Sequence, residues 1–141
     1  MCGIIAALCK EPSKCINIIY EGLKYMQNRG YDSAGICSII GDITNETPSL
    51  LLHKYASTDD NSALDLLKLK LEHHKESYIG FGHTRWATHG AKTDINSHPH
   101  TSYNGKFTVV HNGIIENYRE LKNITNKKGY HNISETDTEV I

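Results

Sequence analysis

Apolar positions along the chain change their spacing several times, and each change marks an element. "CGIIAALC" (2–9) is a short apolar run that predicts a buried strand. Pro12 then suits the first turn of a helix, where a missing N–H costs nothing. Ile16, Ile19, Leu23 and Met26 recur at three- and four-residue steps and give that helix one apolar face, with Gly30 placed to end it. "SAGICSIIG" (33–41) and "LLLHKYA" (50–56) read as two further strands around the turn-rich "DITNETPS", a hairpin with a longer loop. Leu64, Leu67 and Leu71 share one side of a second helix over 62–75, whose "HHKE" end reads as solvated. Strand character returns in "YIGFGHTRW" (78–86) and in "FTVVH" (107–111), the latter after the hairpin signal Asn104-Gly105. A third helix covers about 117–127 and ends near Gly129. The last nine residues predict a short strand leading into a helix, with Thr136 and Glu139 spaced as a capping box. So few residues cannot bury a helix face, so the chain reads as cut at that end. Hairpins in mixed order with helices, and no repeating βα unit, predict an α+β fold with mainly antiparallel sheet.

Composition narrows the class. A chain of 141 residues suits one domain, yet its apolar fraction of 38% is thin beside the usual ~45–50%. That fits a chain that leans on something beyond itself. Fifteen basic and 16 acidic residues leave a net charge of −1, and no basic stripe suggests a nucleic-acid surface. No apolar run approaches the roughly 20 residues of a membrane helix, and the N-terminus lacks a basic leader. Cys2, Cys9, Cys15 and Cys37 form no C-x-x-C pair and read as reduced thiols of an intracellular protein. The histidine spacings, including His73-His74 and His98-Pro99-His100, do not match paired zinc ligands, so no metal is expected.

Four stretches carry candidate chemistry. If Met1 is removed, Cys2 holds both a thiol and a free α-amine. An N-terminal amine can then act as the base for its own side chain. "RGYDSAG" (29–35) reads as a glycine-bracketed turn with local hydrogen bonds from Asp32 and Ser33, and sets Arg29 beside Gly30. "GHTRWATHG" (82–90) places Arg85, a planar fork suited to a carboxylate, on a strand end beside Trp86. Asn112-Gly113 fits a plain turn. Taken alone that reading wins, but the pair could also present a side-chain amide and a backbone N–H in one direction, as an oxyanion hole requires. Asp137 is a candidate partner for an ammonium. Together these supply the parts for cleaving an amide on a free amino acid.

The motifs "MCGI", "RGYDSAG", "GHTRWATHG", "HPH", "VVHNGIIEN" and "SETDTEV", in this order, resemble the glutaminase domain of the glutamine–fructose-6-phosphate aminotransferases. Those enzymes are one branch of the class II glutamine amidotransferases. The resemblance runs from residue 1 to 141, and Tyr31 with the Trp86-Ala87-Thr88-His89 run favours this branch over the purine-pathway and asparagine-synthetase types. It implies the four-layer αββα sandwich of N-terminal nucleophile hydrolases, incomplete at the C-terminus, with 1–141 as a partial glutaminase domain and the sugar isomerase domain absent. It implies Cys2 as nucleophile, Asn112 and Gly113 as oxyanion hole, and Arg85 and Asp137 on the α-carboxylate and α-ammonium of L-glutamine. Thr88 and His89 would line the pocket, Trp86 would gate ammonia, and Arg29 with Gly30 would support the nucleophile. Fructose 6-phosphate would receive the ammonia in a cytoplasmic homo-oligomer, without cofactor, metal, nucleic acid or membrane. Two alternatives remain: an inactive truncated fragment, and an N-terminal-cysteine amide hydrolase of other specificity. Arg85 with Asp137 argues against the second, because the pair specifies a free amino acid.

Overall fold

A computed structural model describes residues 2–41, 48–87 and 90–141. Its centre is a four-stranded antiparallel sheet in the order β1-β4-β2-β3, built from Gly3–Leu8, Ile79–Arg85, Ser33–Ile40 and Ser49–Ala56. Helices α1 (Pro12–Tyr25) and α2 (Ala63–Lys68) cover one face. Ile16, Ile19 and Leu23 of α1 pack with Leu64 and Leu67 of α2 and with Ala34 and Ile36 of β2. The strand period of two decides which side chains meet them. Gly80 and Gly82 lie on the helix face of β4, where added Cβ atoms would sit 3.1 Å and 3.0 Å from Ile19. The glycines therefore let α1 settle close to the sheet. His83 and Arg85 alternate with them and point to the opposite face.

On that opposite face lies a two-stranded ribbon, β5 (His100–Thr101) and β6 (Thr108–Val109). The approach is tight, because a Cβ on Gly35 of β2 would run into the His98 carbonyl oxygen. The ribbon turns through Asn104-Gly105, with Gly105 at φ +66° and the Asn104 side chain accepting from Ser102 and Lys106. Helix α3 (Tyr118–Lys127) follows and buries no residue. The fold is α+β with antiparallel sheet, as expected. Its second sheet reaches only these two strands among the described residues.

Several local expectations need correction. β1 is a half-buried edge strand: Ile5 and Ala7 pack on the core while Ile4, Ala6 and Leu8 face outward. Gly30 does not cap α1, which ends at Tyr25 and passes through a 3-10 turn (Gln27–Arg29); Gly30 is extended at φ −178°. The single helix over 62–75 divides into α2, capped by Ser62 on the Asp65 N–H, and a 3-10 turn at Leu71–His74. Its polar end is not wholly solvated. His74 is 1% exposed, held by Ser38 Oγ and His53 Nδ1, each at 2.8 Å. "FTVVH" pairs only over Thr108–Val109. The final segment forms no strand, and a 3-10 turn (Thr138–Val140) begins after Asp137 rather than Thr136. Glu139 instead accepts from the Ile133 and Ser134 N–H groups. The turn-rich segment's residues 42–47 lie outside the described residues.

Candidate functional site

A cleft of about 250 Å³ opens on the sheet face away from α1. It gathers residues from five separate parts of the chain: Cys2 before β1, His83 to Trp86 at the end of β4, His98, and the segments 111–118 and 136–138. Six of the expected residues, Cys2, Arg85, Trp86, Asn112, Gly113 and Asp137, meet there.

Cys2 is held by the backbone of β4's end. The Trp86 N–H donates to Cys2 Sγ at 3.3 Å, and the thiol lies 3.8 Å from the Trp86 carbonyl oxygen. Next along the chain, the Gly3 N–H donates to Thr84 Oγ1 at 3.2 Å. From the other side, Asn112 Nδ2 donates to the Cys2 carbonyl oxygen at 3.1 Å. Gly113 lies against the His111 ring, with a Cβ there only 2.5 Å from Nε2. That contact, rather than backbone strain, keeps the position small.

Arg85 is 5% exposed at the cleft wall, and its Nη1 donates to the Ala91 carbonyl oxygen at 3.5 Å. Burial pushes its pKa down from the ordinary guanidinium value, opposed by Cys2, Asp32, Asp137 and Glu135. A guanidinium stays charged under such a shift. Asp137 supplies the opposite sign. One of its oxygens accepts from the Ile115 N–H at 2.7 Å, and this hydrogen bond turns the carboxylate into the cleft wall. Trp86 is 40% exposed and packs edge-on to Tyr31, ring centres 5.2 Å apart.

Gly30 supports the site by its size. A Cβ there would lie 2.7 Å from the Arg85 carbonyl carbon and 2.9 Å from the Trp86 nitrogen. Asp32 does not serve its own turn as expected. Its Oδ2 accepts from Ala87 N–H at 2.8 Å, and its own N–H donates to the Arg85 carbonyl at 3.1 Å. Arg29 is exposed at the end of its 3-10 turn, and among the described residues no hydrogen bond joins its guanidinium to Cys2. Thr88 and His89 lie outside the described residues, as does Met1.

Sequence reasoning missed two supports. Glu135 Oε2 accepts from Ala91 N–H and Asn96 Nδ2, both at 2.8 Å, tying the 90–96 segment to the approach to Asp137. These hydrogen bonds hold the Glu135 carboxyl below its usual value. No local sequence signal points to that pairing. The other is a layer of histidines beneath the cleft. His83 and His98 stack 4.4 Å apart, and His98 meets His100 edge-on at 4.7 Å. Burial pushes His83 and His100 down to about 4, and His98 lower still. For His83 a signal was present, because two residues before Arg85 on a strand is the same face. Among the described residues no group of His, Cys, Asp and Glu could hold a metal ion, and no helix is long and apolar enough to cross a membrane.

The architecture has a counterpart among solved structures. Glutamine phosphoribosylpyrophosphate amidotransferase from B. subtilis, complexed with ADP and GMP, superposes with a TM-score of 0.71 at 25% identity, over 99% of this chain and 28% of that one. The fold is thus that of the N-terminal nucleophile hydrolases. The glutamine amidotransferase domain model matches residues 69–141, more than half of the chain, and the chain belongs to that family. Curated relatives include the glutamine–fructose-6-phosphate aminotransferases (isomerizing) of Pyrococcus horikoshii, 48% identical, and of Clostridium perfringens, 45% identical, each over the whole chain. That of Corynebacterium glutamicum is 43% identical over 99% of the chain. The chain spans 22%, 21% and 22% of these relatives' lengths.

Proposed function

We propose that this chain hydrolyses L-glutamine to glutamate and ammonia, with Cys2 as the N-terminal nucleophile after removal of Met1. The observation that carries the reading is the convergence on Cys2 of the Trp86 N–H and the Asn112 carboxamide, 84 and 110 residues away in sequence. Both lie beside a buried arginine and an aspartate.

In this mechanism Arg85 binds the α-carboxylate and Asp137 the α-ammonium, which sets the side-chain amide at Cys2. The α-amine of Cys2 takes the thiol proton as sulfur bonds to the amide carbon. The oxyanion that forms is held by Asn112 Nδ2 and the Gly113 N–H. One such donor contributes about 2.7–4 kcal/mol in comparable sites. The α-ammonium then returns its proton to the leaving nitrogen, and ammonia departs. Water attacks the γ-glutamyl thioester, releasing glutamate and restoring the thiol. Thr88 and His89 complete the pocket wall in this reading, Trp86 controls the path of ammonia, and Arg29 stiffens the nucleophile's surroundings from outside.

The relatives' names support a further step in the complete protein, transfer of the ammonia to fructose 6-phosphate. Residues 1–141 then form part of a glutaminase domain working beside a sugar isomerase domain, in a cytoplasmic homo-oligomer. The test is direct. C2A should abolish glutamine hydrolysis while glutamine still binds, and the mature protein's mass should lack Met1. Retained Met1 in an active protein would remove the α-amine from the mechanism.

A further inference from the structure

The hydrogen-bond pattern around Asn112 leaves one arrangement of protons. The Cys2 carbonyl oxygen can only accept, so the amide atom 3.1 Å from it must be the NH2 group. Asn112 Oδ1 therefore faces the other way, 2.9 Å from His83 Nε2. Oδ1 too can only accept, so Nε2 must carry a hydrogen. A neutral ring protonated at Nε2 leaves Nδ1 as a bare acceptor. His83 Nδ1 is buried and has no hydrogen-bond partner among the described residues, although the His111 backbone also interacts with the ring. The ring has little freedom to turn: it is 1% exposed, lies on β4 and stacks on His98 with planes 19° apart. His98 is fixed in turn, its Nδ1 receiving the His111 N–H at 3.4 Å.

We propose that His83 is a positioning residue for the reaction, holding the Asn112 carboxamide with its NH2 toward Cys2 so that a donor and not an acceptor meets the oxyanion. The proposal rests on the glutaminase reading above. Asparagine alone does not fix its own orientation. Rotation by half a turn about its last bond exchanges N and O at almost no steric cost, and Oδ1 would then confront both the Cys2 carbonyl and the developing negative charge. With its proton on Nε2, His83 makes that flipped state lose a hydrogen bond at each end; with the proton on Nδ1 the ring would accept from the turned NH2 and only the Cys2 end would be lost. Burial also holds the ring below its usual pKa, at about 4, so it stays neutral across the physiological range. A neutral ring has only one N–H to give, and the geometry sends it to Asn112. His83 is 29 residues from Asn112 and belongs to a different element, so the two are joined only by the fold.

The experiment is steady-state glutamine hydrolysis by the intact protein and by C2A, N112A, H83F, H83Q, H83N and the H83F/N112A double variant. N112A should lower kcat by about 10²–10³, the usual effect of losing one oxyanion donor. H83F should lower kcat by roughly ten- to a hundredfold with KM within about twofold, because the ring touches the donor and not the substrate. H83Q, whose amide nitrogen reaches the place of Nε2, should recover most of that loss, and H83N, which mimics Nδ1, should not. On an N112A background H83F should cost less than about twofold more, since its target is gone. A folded H83F with unchanged kcat overturns the proposal, as does a full multiplicative loss in the double variant. If H83F does not fold, equal rates for H83Q and H83N overturn it. Turnover that survives C2A overturns the glutaminase reading and this proposal together. A C2A-null protein in which H83F matches wild type overturns the proposal alone.

Discussion

Replacing Gly30 by alanine tests whether the Arg85–Trp86 peptide is held in place by contact. At φ −178° any residue is comfortable there, so the variant carries no backbone strain of its own. The obstacle is steric: the new methyl would lie 2.7 Å from the Arg85 carbonyl carbon, 2.9 Å from the Trp86 nitrogen and 3.1 Å from the Arg85 oxygen. Ordinary contact begins near 3.4 Å, so the two backbones must separate by about half an ångström or more. That movement stretches Trp86 N–H to Cys2 Sγ, already 3.3 Å, and Asp32 N–H to the Arg85 carbonyl, at 3.1 Å. Overpacking of this kind costs about 1–3 kcal/mol. For a domain of this size that is roughly 3–10 °C in Tm. Misplacement by about 1 Å costs up to ~100-fold in rate, so a five- to fiftyfold fall in kcat is expected for this smaller shift. Thermal unfolding and glutamine turnover of G30A against wild type provide the assay. A variant with unchanged Tm and kcat would refute the argument, because nothing else in the surroundings can absorb the methyl without moving the peptide.

Other substitutions probe separate links. R85A should raise KM for glutamine by roughly 10- to 150-fold, from the about 1.5–3 kcal/mol of hydrogen bonding to a charged group, and an unchanged KM would place the carboxylate elsewhere. G35A should destabilise more than G30A, since its methyl meets the His98 carbonyl, the Pro99 ring and the Lys54 side chain at once; urea unfolding would show it. Stability should also fall with acidity. Buried His74 titrates near 4 in the folded protein against about 6.5 unfolded, so the unfolded state binds the proton first. Its contribution is whole above about 6.5 and shrinks as pH falls toward 4. By pH 5 the loss is about 2 kcal/mol for this ring alone, with His83 and His100 adding in the same direction. Equal unfolding free energies at pH 7 and pH 5 would contradict the neutral, buried rings.

The sheet was readable because its strands carry their own period. The alternation of glycine with larger residues in "YIGFGHTRW" marks the helix face and the site face of β4. The apolar stripe of α1 was equally plain. What stayed hidden was pairing at a distance. His74 sits in a polar run, and only Ser38 and His53, brought over by β2 and β3, bury it. Gly30 looked like a helix stop, and its actual reason is a strand end more than fifty residues later. Glu135 and Asn96 meet by tertiary contact alone. For the site, the residue types were legible in four short motifs, whereas the orientation of Asn112 depends on His83 and could not be read from either motif by itself.

Cys2 is translated 110 positions before Asn112, which donates to its carbonyl oxygen. At about 5–20 residues per second, roughly 6–22 seconds of translation separate the two. For most of that interval β1 has no β4 to pair with, because β4 follows it by about seventy residues. In the proposed mechanism Cys2 therefore spends its first seconds as a thiol without the hydrogen bonds that later hold it. Competence in that mechanism needs both the pairing of β4 between β1 and β2 and the arrival of Asn112 and Asp137, which follow it in sequence, in the cleft. The time course of activity during refolding would consequently report assembly of this cleft rather than formation of the helices.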